Sequence, residues 1–185
     1  MMKRLFVVMV LAALVVGSAS ADNPLRLKSG SLRPLKNSGE SICCVIDFSQ
    51  TKGNKKPLDQ YLVEDYDSSR KVFDSHVPTM EEWFADRWDD DIKRGPRYTD
   101  NPDAPYKMSI VVKTLQLGPK SGYGGASISG YVNFYRQGEE TPFAEVEILK
   151  LEGTQFKVPL PSYPGLIQAF NDLAEYLCDL IKHSK

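Results

Sequence analysis

Three alternating segments in the second half of the chain leave the fewest options for its fold. Tyr106 to Leu117 (YKMSIVVKTLQL) is long and β-branched. Ala126 to Tyr135 sets Ala126, Ile128, Val132 and Phe134 against Ser127, Ser129 and Asn133, and Phe143 to Leu151 sets Ala144, Val146 and Ile148 against Glu145 and Glu147. A period of two places successive side chains on opposite faces of a strand, so each segment predicts a strand with one buried face. Gly118-Pro119 ends the first, and Arg136 to Glu140 is short enough to join the last two as a hairpin. The three read as an antiparallel meander. A sheet with an apolar face needs a cover. Leu166, Phe170, Leu173, Leu177 and Leu180-Ile181 supply one as a stripe along a helix predicted from about Ser162 to Lys182.

The first half adds one strand and two helices. Ser41 to Phe48 (SICCVIDF) is apolar at nearly every position, as a central strand covered on both sides would be. Pro57 opens a helix in which Leu58, Tyr61, Leu62 and Asp65 mark successive turns. Pro78-Thr79 signals a second, with Thr79 as the N-cap and Glu81 and Glu82 complementing the dipole in the first turn. Its apolar positions are Met80, Trp83, Phe84, Trp88 and Ile92, Gly95-Pro96 stops it, and Asp100 to Pro105 is a turn-rich connector. The order strand, helix, helix, three strands, helix predicts an α+β domain of two layers. Its mostly antiparallel sheet would have four to five strands, with helices packed on one face. The other face presents Ser127, Ser129, Tyr131, Asn133, Tyr135 and the pair Glu145/Glu147.

Ahead of these elements, Met1-Met2-Lys3-Arg4 is a positive start, Leu5 to Val16 is an unbroken apolar run, and Gly17 to Ala21 ends in a small-x-small pattern. This is the pattern of a signal peptide over 1–21, cut before Asp22. The run is well short of the ~20 residues that span a bilayer, and no Cys stands at the new terminus to carry a lipid. The expectation is a periplasmic or secreted protein with no membrane anchor. Residues 22–40 read as a partly ordered segment, with Arg26, Lys28, Arg33 and Lys36 among spaced leucines and a strand ending at the Ser29-Gly30 turn. Residues 41–185 read as a single domain. Loss of Lys3 and Arg4 leaves 21 basic against 24 acidic residues, a formal charge of −3, which speaks against a nucleic-acid partner.

Candidate chemistry is sparse. Cys43 and Cys44 are adjacent and so face opposite sides of a strand. At most one can meet Cys178 in a disulfide, and small buried thiols are the alternative. A Cys–His nucleophile with His76 would need an exposed thiolate, and these cysteines sit in a buried strand. The acidic run Asp86, Asp89, Asp90, Asp91 matches no loop of alternating oxygen ligands and falls on a helix. Gly118 to Gly125 lies between two strands, where no helix N-terminus is available to hold a phosphate. The carboxylate pairs Glu139-Glu140 and Glu145/Glu147 sit in a turn and on an exposed strand face. No cofactor or metal site is indicated, and no set of residues supplies nucleophile, base and oxyanion donor together. Binding residues remain: Lys120 and Tyr123 on the glycine-rich loop, and Tyr131 and Tyr135 on the polar sheet face.

The segments KSGSLRPLK (28–36), VIDFSQTKG (45–53), EEWFADRW (81–88), YKMSIVV (106–112) and LIQAFNDLAEYLCDLI (166–181) occur in an order that resembles a group of small exported proteins of unknown function from Gram-negative bacteria. The group's architecture is similar to that of TolB amino-terminal domains and of envelope assembly components. The resemblance implies a non-catalytic binding or assembly role in the envelope, with an envelope protein or a glycan as partner. A small-molecule or glycan binder is the alternative, and a hydrolase with an unrecognised site comes third. The group has no established catalytic residues to carry over, and oligomeric state is left open.

Overall fold

Buried and half-buried residues alternate strictly from Ala126 to Tyr135, and the sheet is built outward from this strand. A computed structural model describes residues 23–118, 125–153 and 163–185. In chain order its elements are β1 (Leu25–Gly30), a 3-10 turn (Arg33–Leu35), β2 (Ser41–Asp47), β3 (Lys52–Gly53), β4 (Lys56–Pro57), α1 (Leu58–Tyr66), α2 (Arg70–Asp74), α3 (Val77–Ile92), β5 (Arg97–Tyr98), β6 (Tyr106–Gln116), β7 (Ala126–Arg136), β8 (Ala144–Gly153) and α4 (Pro164–His183). The strands run β1-β8-β7-β6-β2-β5, with β3 joining β6 and β4 joining β3.

The two-layer, mostly antiparallel sheet of four to five strands expected from sequence is corrected by this topology. Among the described residues the sheet has eight strands and is mixed, since β2 runs parallel to both β5 and β6 and β3 runs parallel to β6. The reason is the path of the chain. From β2 it passes through α1, α2 and α3 before returning as β5 and then β6, and such a crossover delivers a strand in parallel. The meander of β6, β7 and β8 is antiparallel, as expected from sequence. The strands missing from the sequence reading, β3, β4 and β5, have two residues each, while β1 is the strand expected before the Ser29-Gly30 turn.

The inner face carries Ile42, Met108, Ile110, Val112, Ile128, Val132, Phe134, Val146 and Ile148, merged with the apolar sides of the helices in one cluster. α4 contributes Leu166, Phe170, Leu173, Leu177 and Ile181, all buried, and packs on β7, β8 and α3. The pairs Trp83 with Asn171 and Trp88 with Cys178 advance together along the two helices, so α3 and α4 are parallel. α3 begins at Val77 with His76 at its N-cap, earlier than the Thr79 cap expected, because Pro78 fits the first helical turn. α2 was not foreseen. Its five residues are held by Ser69, whose hydroxyl accepts the Val72 N–H, and by Phe73 in the core.

Candidate functional site

The outward-facing residues form rows across the strands. Along one row Ser109 of β6, Asn133 of β7 and Glu145 of β8 are neighbours, and along the next Val111, Tyr131 and Glu147. Tyr135 stands opposite Lys107. Tyr131 and Tyr135 are half-buried, four residues apart on one side of β7. The two leave a shared aromatic and polar face, and between them the Asn133 Oδ1 is buried without a hydrogen-bond partner among the described residues.

β1 completes this face with charge. Arg26 pairs with Glu147, and Lys28 with Glu145 at 2.7 Å. The Lys28 ammonium also lies 4.5 Å from the Tyr131 ring centroid, over the π-face. The hydrogen bond to Glu145 raises the Lys28 pKa, so this lysine is a fixed cation at neutral pH. Sequence reasoning had both halves of this ladder without joining them. Basic residues at 26 and 28 and acids at 145 and 147 share the period of two, which is the signal of a cross-strand pair.

Lys120 and Tyr123 lie outside the described residues. The strand end that leads to them is anchored: the Tyr61 hydroxyl accepts the Leu117 N–H at 2.9 Å, and the Tyr66 hydroxyl lies against the carbonyls of Leu117 and Gly118. Burial pushes the Tyr66 phenol pKa up, which keeps its proton in that contact.

The remaining candidates take structural roles. Cys43, Cys44 and Cys178 are all free thiols. Burial pushes each thiol pKa up, the opposite of what a nucleophile requires. His76 packs edge-on against Tyr163, with ring centroids 5.4 Å apart. In the acidic run, Asp89 accepts the Tyr98 N–H at 2.8 Å and Asp91 pairs with Arg87 at 2.8 Å, fastening β5 to α3 and bracing one helix turn. Among the described residues no group of three or more His, Cys, Asp or Glu side chains is placed to hold a metal ion, and no helix is long and apolar enough to cross a membrane.

No family model and no curated protein matches this chain. Among solved structures, it is similar to the PelC dodecamer from Paraburkholderia phytofirmans in space group P6, at 11% identity and a TM-score of 0.46, over 85% of this chain and 96% of that one. A point variant of the same dodecamer in space group C2 aligns at 13% identity and a TM-score of 0.44, over 85% and 97%.

Proposed function

We propose that this protein is an exported, non-catalytic binding or assembly component of the cell envelope, and that it meets an envelope protein on the outer face of its sheet. One observation supports the reading most directly. Five strands present a continuous face with Val45, Val111, Tyr131 and Tyr135 along its middle and compensated charges along its β1–β8 side. β7 has eleven residues, about 36 Å at the usual rise. With strands about 4.8 Å apart and β1 and β2 shorter, at six and seven residues, the five-strand face measures roughly 700 Å², close to one side of a standard protein–protein interface. A broad face suits a macromolecule better than a small ligand, which is normally engulfed in a concave pocket. Export rests on the 1–21 leader pattern.

The test places a photo-crosslinking amino acid at Tyr135 or Ser109 on the face and, as a control, at Glu64 on α1. Irradiation of whole cells is expected to give one discrete adduct from the first two positions and none from the third, with the protein in the periplasmic fraction and beginning at Asp22. Adducts from Glu64 alone, or a cytoplasmic protein retaining Met1, would overturn the proposal.

A further inference from the structure

The two borders of the sheet are built differently. β1, on one side, carries the devices that discourage strand addition: Arg26 and Lys28, and a register shift between Leu27 and Ser29. On the other side, β5 covers only the beginning of β2. The Arg97 and Thr99 N–H groups donate to the Glu40 and Ile42 carbonyls at 2.9 and 3.0 Å. Even-numbered residues of β2 therefore aim their main-chain groups at this border, and the alternation carries on to Cys44 and Ile46. β5 ends at Tyr98, and the β3–β4 hairpin takes up the border only beyond the end of β2. In the gap, the N–H and C=O groups of Cys44 and Ile46 have no hydrogen-bond partner among the described residues. Here β2 reads Cys44-Val45-Ile46, with no charge, proline or bulge, and Val45 is 46% exposed. The gap spans about five residues, roughly 16 Å, room for three or four residues of an added strand.

Charge of both signs flanks the gap: Lys107 acts on Cys43, and Lys113 and Arg70 act on Asp47, while acids act on the inner face beside Cys44. Cys44 shares the inner face with Ile42 and Tyr98, and Glu81 of α3 acts electrostatically on both the Cys44 thiol and the Tyr98 phenol. Glu81 is half-buried and makes no ion pair or hydrogen bond among the described residues, and the charge that acts on it is another acid, Asp100. A carboxylate held this way is complemented by a cation, and none pairs with Glu81 among the described residues.

We propose that the open stretch of β2 takes in an extended segment of a partner protein as a short added strand, with a Lys or Arg of that segment reaching the Glu81 carboxylate. Main-chain bonds to Cys44 and Ile46 supply the affinity, and the basic side chain supplies the selectivity. The surface is separate from the Tyr131–Tyr135 face, so either reading can fail without the other.

The test is selection of a random octapeptide display library against the purified protein, followed by NMR of the amide resonances with the recovered peptides. The expected peptides alternate apolar, basic, apolar residues, shift the amides of Cys44 to Ile46 and slow hydrogen exchange at Cys44 and Ile46. Glu81→Gln should weaken them at least tenfold without lowering the melting temperature, since it removes a desolvated charge and keeps the shape. Failure to recover any peptide above background, recovery of peptides with no shared Lys or Arg, shifts confined to another surface, or equal binding by Glu81→Gln would each overturn the proposal.

Discussion

Gly130 is a position where a single methyl group should damage the sheet from its middle. It lies mid-β7, where both neighbouring ladders change register: between Val112 and Thr114 on the β6 side and between Ile128 and Gly130 facing β8. A Cβ built there would stand 2.0 Å from the Val111 carbonyl oxygen and 3.1 Å from the Lys113 nitrogen. Both are backbone atoms, so no rotamer change relieves the clash, and β6 must move away. Overpacking of this kind costs about 1–3 kcal/mol. One or two stretched ladder hydrogen bonds add about 1 kcal/mol each. The stiffer unfolded chain of an alanine variant returns about 0.4–1 kcal/mol. The balance for Gly130→Ala is a loss of about 2–4 kcal/mol, or roughly 5–15 °C in melting temperature for a domain of this size. The control is Gly138→Ala in the hairpin turn, where φ is +78° and nothing lies within 4 Å of the added atom. Only the left-handed backbone is penalised there, by about 1–2 kcal/mol. Urea denaturation of both variants, with m-values compared to wild type, makes the measurement. If Gly130→Ala matches wild type, or loses less than Gly138→Ala, the close approach of β6 and β7 is not what fixes the two register shifts.

Other expectations follow from the same structure. Leu173→Ala on α4, where the side chain is fully buried, should cost about 2–5 kcal/mol through lost transfer energy and a cavity; a loss under about 0.5 kcal/mol would place it at the surface. Cys43 and Cys178 should resist a thiol reagent in the native state and react in denaturant, and none of the three cysteines should show a disulfide by non-reducing mass analysis; rapid native labelling of Cys43 or Cys178 would contradict their burial. The folded-state pKa of Glu81 is raised by burial and by Asp100, so the folded state holds that proton more tightly and stability falls as pH rises through the window above the ordinary carboxylate value. Glu81→Gln should therefore be at least as stable as wild type at pH 7 and show no advantage at pH 3; a variant less stable at pH 7 would refute this.

Where the sequence was legible, the physics was local. The meander from β6 to β8 and the stripe of α4 each write a period of two or 3.6 over ten or more residues, and their bounds in the structure lie within two residues of expectation. The small residues of β7 admit a close backbone in two ways. Gly130 meets β6, and Ala126 meets Gly165 at the start of α4. The failures were non-local. SICCVIDF predicts a strand covered on both sides, yet its outer face is open at Val45, 46% exposed, and it carries nothing about direction, which is decided by three helices that intervene before its partners β5 and β6. β3, β4 and β5 are too short to show any period, and their pairing is fixed by neighbours distant in sequence.

The candidate surfaces divide along the same line. Tyr131 and Tyr135 could be read from the alternation of β7, because whatever shares a parity with Ser127 and Asn133 must leave the core. Their charged frame could not be read from any single segment, since Arg26 and Lys28 meet Glu147 and Glu145 only once β1 has paired with β8. Glu81 is a sharper case. In the sequence it is an acid in the first turn of a helix, explained by the dipole alone. In the fold the same carboxylate is half-buried, without an ion pair among the described residues, and within electrostatic reach of the Cys44 and Tyr98 side chains, where β5 leaves the border of β2 after two residues. The local explanation also fails, since α3 begins at Val77 and has no acid in its first turn; what Glu81 does is set by the strand that stops short beside it.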